Sequence, residues 1–415
     1  MRRLIAATAV IAFLLSACGK GNNLTPTSTA SAPPSPTSSP SPNPTPTSSP
    51  WAGMPPILEV ADLAGYEPGS CAVQFLYDTV TRRLFRTWWR GGWSADQRLF
   101  VWRQPNEPDW GGGAALVDLE SATASTVNST PSNLRWALSS PNGSKIVYFV
   151  PSPDSSVLDE RTDMYFRELE GSQSTLIDTE LPFYAGSSWS PDSRFIAYYT
   201  RIGVHVYDTV GGRDVLLPGT EGSTDQTWSP TEDVLAYDSG EGLFAFDAMS
   251  GRERQIVAGD VDPPLLWSPD GSRLIVRHGQ VAPIKTLAGE AMKPAAVSLD
   301  GAVVQLPQAL EWTWSPDGLR VAYKSGDGSE IRLYTIATGD DILVGDVRGR
   351  GLAWSPDGRT LGFNDGEMIA LYDVASAATA LLDFSAGLQP DYIGSIGWSP
   401  DSRYLQIDKY TCSLD

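Results

Sequence analysis

The phrase Trp-Ser-Pro-Asp stands at Trp189, Trp267, Trp314, Trp354 and Trp398, and returns in altered form as Trp93-Ser-Ala-Asp, Ser139-Ser-Pro-Asn and Trp228-Ser-Pro-Thr. Successive starts lie 46, 50, 39, 39, 47, 40 and 44 residues apart. A period of about 40 to 50 residues is that of a four-stranded unit repeated along a chain. The sequence is therefore expected to hold eight copies of one small sheet.

Each copy carries its own strand grammar. Ser-Pro-Asp-Gly suits a type I turn, with Pro presetting φ at the second corner and Gly at the fourth, so the Trp closes one strand and a second begins just beyond. Apolar runs such as Leu274-Ile-Val and Val321-Ala-Tyr form that second strand. A third reads Val204-His-Val-Tyr-Asp208 or Leu243-Phe-Ala-Phe-Asp247, and a short fourth reads Val215-Leu-Leu217 or Ile342-Leu-Val344. One such sheet cannot bury both faces alone, so neighbours must stack around an axis. The predicted fold is all-β: a single eight-bladed β-propeller of four-stranded antiparallel blades. The regular motif tryptophans are expected to pack between adjacent blades.

After Trp398 only two strands fit, while Val73–Asp78 and Arg83–Arg86 copy a third and a fourth. One blade is thus expected from both ends of the chain, closing the ring by pairing N- and C-terminal strands. The same closure brings Cys71 and Cys412 together as a disulfide.

The phrase followed by an apolar strand resembles the WD-related repeat of TolB-type propellers and of the propeller in dipeptidyl-peptidase-type serine proteases, over residues 71–415. The resemblance implies the fold. It does not carry over the protease activity or TolB's partners, because those families join their propellers to further domains that are not expected here.

Upstream of the repeats the chain changes character. Arg2 and Arg3, then an apolar run from Leu4 to Leu15, have the layout of an export signal that is too short to span a bilayer. Leu15-Ser16-Ala17-Cys18 resembles the lipobox of bacterial lipoproteins, which implies a signal peptide over 1–17 and lipidation of Cys18. From Leu24 to Pro50, 23 of 27 residues are Pro, Ser or Thr, without charge or aromatic rings. Such a stretch has no apolar surface to offset its ordering entropy, so residues 18–50 are read as a disordered tether and 51–415 as the propeller. At about 3.1 Å per residue the tether reaches roughly 80 Å. The expected address is extracytoplasmic, lipid-anchored to a bacterial membrane.

The full chain carries a net charge of −19. Without residues 1–17, 28 basic side chains face 49 acidic ones, a net of −21. That balance argues against nucleic acid as partner and leaves the lipid anchor as the only membrane contact. No G-x-S-x-G, HExxH, C-x-x-C or P-loop pattern occurs, and the only histidines are His205 and His278. His205 alternates with valines in a third strand and reads as a packed core residue. Gly111-Gly-Gly113 precedes a strand rather than a helix and so is no phosphate cradle. Acid pairs such as Asp260 with Asp262 and Asp340 with Asp341 lack the spacing of a calcium loop. No catalytic residue, metal or cofactor is expected.

Strand alternation puts the loops between second and third strands on the same rim as the blade-to-blade connections. The long loops Gln104–Gly113, Pro151–Thr162 and His278–Lys293 fall there. So do four tryptophans outside the repeat position, giving one sector of Trp88, Trp89, Arg90, Trp110, Arg135 and Trp136. Aromatics beside arginine are typical of binding hot spots. The reading is a non-catalytic, monomeric propeller whose rim holds an envelope protein, peptide or glycan. The alternative is a propeller enzyme, a glycan lyase or hydrolase or a peptide-acting one, using scattered rim carboxylates or His278 as acid and base.

Overall fold

The computed structural model describes residues 58–59, 73–81, 83–87, 90–94, 98–102, 114–119, 123–127, 131, 133–155, 160–171, 173–182, 186–223, 225–259, 261–278, 293–346, 351–364, 368–382 and 393–409. All of them lie in the second of the two units into which the chain divides, Ser48–Asp415. They form strands and tight turns. Seven sheets have four antiparallel strands each, hydrogen-bonded in chain order. In the sheet of Trp189, for example, Ser187–Trp189, Phe195–Thr200, Gly203–Asp208 and Arg213–Leu216 follow one another.

One further sheet draws on both ends of the described chain. Ile393–Trp398 pairs with Tyr404–Lys409, which pairs with Val73–Asp78, which pairs with Arg83–Thr87. A fifth strand, Leu58–Glu59, which four-stranded reasoning omits, then pairs with Arg86 and Phe85. Its presence has a simple cause: an outer strand offers unpaired N–H and C=O groups, and Leu58–Glu59 satisfies two residues' worth of them.

The repeated phrase folds by one hydrogen-bond scheme. In the Trp314 unit the Gly318 N–H reaches the Ser315 carbonyl at 2.8 Å, closing the turn. Ser315 Oγ donates to Asp317 Oδ1, and accepts from the Arg320 N–H at 2.9 Å. The same aspartate oxygen accepts the Leu319 N–H at 3.0 Å. Matching bonds recur around Ser140, Ser190, Ser268, Ser355 and Ser399, with Asn142 replacing the acid in the first of these. The serine is buried each time, so its hydroxyl must be satisfied inside the protein, and this scheme does so.

The fourth turn residue sits at φ between 63° and 71°, the left-handed region, as Gly143, Gly271, Gly318 and Gly358 but also as Ser193 and Ser402. The two serines offset their strain by bridging sheets: Ser193 Oγ accepts the Asn142 N–H at 3.0 Å and Ser402 Oγ the Asp357 N–H at 2.9 Å.

Sheets are clasped to one another by the motif indoles. Nε1 of Trp189, Trp228, Trp267, Trp314 and Trp398 donates to the carbonyl of Leu138, Ser188, Thr227, Leu266 and Ala353 respectively, at 3.0 to 3.3 Å. Each acceptor is the residue just before the preceding motif position, so one rule links sheet to sheet. The apolar core follows the same seams. One cluster joins Ala236 and Leu243 of one sheet to Trp267, Leu274 and Val276 of the next. Another joins Phe149, Met164 and Phe166 to Trp189, Ile196 and Tyr198.

Candidate functional site

Most of the aromatic sector read from the sequence lies outside the described residues: Trp88, Trp89 and Trp110 do, as do Cys18, Cys71 and Cys412. Arg90 opens the first strand of its sheet, Arg90–Trp93, and its side chain lies outside as well. Trp136 is described, and it opens a first strand, Trp136–Ser139, rather than sitting in the connection before it. Its half-buried ring stacks on Phe149 at 5.1 Å and packs against two seam clusters, which is what cross-strand pairing of Trp136 with Phe149 dictates. Arg135 next to it donates its backbone N–H to the Phe149 carbonyl. His278 ends a second strand, with its side chain outside the described set.

His205 is buried in its third strand, as the alternation predicts, and it has company. Its Nδ1 lies 2.6 Å from Asp214 Oδ2, and its ring stacks on Tyr198 at 5.1 Å. The Tyr198 hydroxyl lies between Asp214, at 3.3 Å, and Asp178 of the neighbouring sheet, at 3.4 Å. Burial first, then the two carboxylates, push the Tyr198 hydroxyl far above the ordinary phenol range. Such a tyrosine stays neutral and donates. The cluster ties two sheets together, and nothing in it is set up as a nucleophile. Among the described residues no group of three or more His, Cys, Asp or Glu is gathered as metal ligands.

Among the described residues an open cleft lies elsewhere, beside the Ser-Pro-Asp-Gly turns. A cleft of about 420 Å³ runs between the sheets of Trp354 and Trp398, lined by Thr79, Asp357, Arg359, Thr360, Asp373, Thr379, Trp398 and Ser402, among others. Its origin is one small side chain. The sixth residue past each motif position starts the second strand, and in several units it lies beside the next sheet's tryptophan. Phe195 stacks on Trp228 at 6.3 Å and Tyr404 on Trp93 at 5.8 Å. Val234 packs on the cluster that holds Trp267, and the Arg320 guanidinium lies over Trp354 at 5.9 Å. In the Trp354 unit that residue is Thr360, too short to reach across. Trp189, Trp228, Trp267, Trp314 and Trp354 are buried; Trp398, like Trp93 under Tyr404, is half-buried, and it forms a wall of the cleft.

Charge in the cleft is fixed by its turns. Asp357 Oδ1 accepts from Ser355 Oγ at 2.6 Å and from the Arg359 N–H at 3.0 Å. Asp373 Oδ1 accepts from Ser376 Oγ at 2.6 Å and its N–H at 2.8 Å, and these bonds hold its carboxyl below the usual range. Arg359 is 82% exposed and only 3.9 Å from Asp357. The cleft therefore offers an indole face, two carboxylates, hydroxyl groups and one loosely held guanidinium. That set suits recognition; a carboxylate held ionised is a poor proton donor at neutral pH.

Sequence reasoning missed this place, although the signal was legible. Aligning the sixth position of the units as Leu99, Lys145, Phe195, Val234, Arg273, Arg320, Thr360 and Tyr404 exposes the one small polar residue among them.

No family model and no curated protein matches the sequence. Solved structures do. Dipeptidyl peptidase 4 of Porphyromonas gingivalis superposes with a TM-score of 0.54 at 11% identity, over 78% of this chain and 57% of that enzyme. A eukaryotic initiation factor superposes with a TM-score of 0.51 at 14% identity, over 80% of this chain and 88% of that one. TolB from Acinetobacter baumannii reaches a TM-score of 0.35 at 14% identity, over 75% and 76% of the two chains. The antiparallel four-stranded sheets and the first two likenesses decide the architecture. The fold is a β-propeller. The cleft thus opens between two neighbouring blades of the propeller, on the side of its Ser-Pro-Asp-Gly turns.

Proposed function

We propose that this protein is a non-catalytic binding propeller, lipid-anchored through Cys18 outside the cytoplasm, that holds an envelope protein, peptide or glycan. The observation that carries the reading is the cleft at Trp398, where one blade departs from the cover its neighbours Arg320 and Tyr404 provide and leaves the indole lining an open cleft beside the carboxylates of Asp357 and Asp373. The ring is proposed to have eight blades. Support comes from the sheet shared by both ends of the described chain and from the stacking of Tyr404, in that sheet, on Trp93 in the first repeat. The loop-rim sector of Trp88, Trp89, Arg90, Trp110 and Arg135, without Trp136, is proposed as a second contact surface.

The experiment is a pull-down from native envelope with the full chain, run beside Thr360→Arg, which fills the cleft as Arg320 fills its own, and a Trp88/Trp89 double alanine. A partner retained by the wild type and lost by Thr360→Arg supports the cleft. Loss with the double alanine alone moves the site to the loop rim. Retention by both variants leaves the reading without a site.

A further inference from the structure

The molecule contains its own copy of the missing occupant. In the unit before the cleft, the Arg320 guanidinium lies over the Trp354 ring at 5.9 Å with Nη2 3.7 Å from Asp317. Trp398 and Asp357 occupy the same motif positions one repeat later, and Thr360 stands where Arg320 would be. Both starting residues hold the same register: the N–H of Arg320 and that of Thr360 donate to their motif serine Oγ at 2.9 Å. The cleft is thus the Arg320 seat without its arginine.

We infer that this cleft receives an arginine side chain from a partner polypeptide. The inference rests on the binding reading above and narrows it to a peptide or protein ligand. A guanidinium is a donor with no acceptor, and the cleft supplies acceptors: the Asp357 and Asp373 carboxylates and the hydroxyls of Thr79 and Thr379. Two anions against Arg359 leave the site net negative, and Arg359 lies mostly in water. The Trp398 indole lines the site, and a cation held over a Trp ring is attracted by its quadrupole. The chain's net charge of −19 steers basic segments toward it and anionic ligands away.

Calorimetric titration of the full chain with the peptide Gly-Ser-Arg-Ser-Gly, and with the same peptide carrying neutral citrulline, tests this. The arginine peptide binds saturably and the citrulline peptide about tenfold more weakly, because the charge-assisted bonds and the cation–π contact are both lost. Thr360→Arg abolishes binding of the arginine peptide while melting at or above the wild-type temperature. Asp357→Asn keeps the turn acceptor, as Asn142 does in its own unit, and weakens binding by about threefold. Arg359→Gln strengthens it. Should Thr360→Arg fail to fold, the last two variants carry the test.

Equal binding of the citrulline peptide, or arginine binding that survives Thr360→Arg, overturns the inference. Binding of chitotriose that Thr360→Arg abolishes, with no response to arginine, overturns it too and leaves the binding reading standing. If Thr360→Arg changes neither peptide binding nor envelope capture, the inference fails while the binding reading moves to the loop rim; if the Trp88/Trp89 double alanine retains the partner as well, both fail together.

Discussion

Replacing a motif tryptophan by phenylalanine should cost different amounts in two units that look alike. Trp267 and Trp354 are equally buried, at 9% and 7% exposure, and each stands in a seam cluster. Their indole nitrogens differ: Trp267 Nε1 donates to the Thr227 carbonyl at 3.0 Å, whereas Trp354 Nε1 is buried without a partner among the described residues. The apolar area and volume lost on substitution nearly cancel in the comparison. Trp267→Phe additionally loses a hydrogen bond, about 1 kcal/mol net, while Trp354→Phe removes an unsatisfied donor whose burial costs about 1 to 3 kcal/mol. Loss of part of the Arg320 contact returns about 0.5 kcal/mol to the cost at Trp354. Trp267→Phe should therefore destabilise by about 2 kcal/mol more than Trp354→Phe, which corresponds to roughly 3 °C in melting temperature for a domain of this size. Thermal unfolding followed by circular dichroism at matched pH reads the difference. Equal shifts, or a larger one for Trp354→Phe, would refute the indole clasp as the link between blades.

Further expectations bear on other parts of the molecule. At Ser193, with φ at 67°, alanine keeps the strain and loses the bridge to Asn142, whereas glycine relieves the strain; Ser193→Ala should melt lower than Ser193→Gly, by about 1 kcal/mol in stability. Burial and the neighbouring Asp192 raise Asp233 to about 6, so its folded form holds a proton that the unfolded chain releases above 3.8. Stability from this group is present below 3.8 and lost as pH rises through about 6. Arg194 lowers Asp208 to about 2, so its contribution is present above 3.8 and lost as pH falls toward 2. Melting temperature against pH should rise between pH 7 and 5 less steeply in Asp233→Asn, and Arg194→Met should flatten the acid limb; unchanged limbs would contradict these assignments. Cys71→Ser should lower the melting temperature and expose the termini to protease if Cys71 and Cys412 are joined, and free thiols in unreduced denatured protein would show that they are not.

How much could be read in advance depended on whether a feature was periodic. The motif turn was legible because its chemistry is local: a hydroxyl two residues from a carboxylate, with a glycine or serine where φ turns positive, recurs in most copies. The pairing of Val73–Asp78 with Tyr404–Lys409 was legible because strands three and four were missing at one end and present at the other. Leu58–Glu59 was not, since two residues of strand carry no periodicity. Trp136 looked like a rim residue because its motif position holds Ser139 in place of Trp, which hid how far upstream the first strand begins. The Trp398 cleft escaped notice for a different reason. It arises from a residue that is small where the others are large, and threonine at a strand start draws no attention until the repeats are aligned position by position.

The claim that this propeller recognises its partner without converting it is tested most directly by the intact mass of a captured partner before and after prolonged incubation with the protein. The account predicts an unchanged mass and a stoichiometric complex. A partner recovered cleaved or trimmed, with the change abolished by replacing one carboxylate or His278, would contradict it.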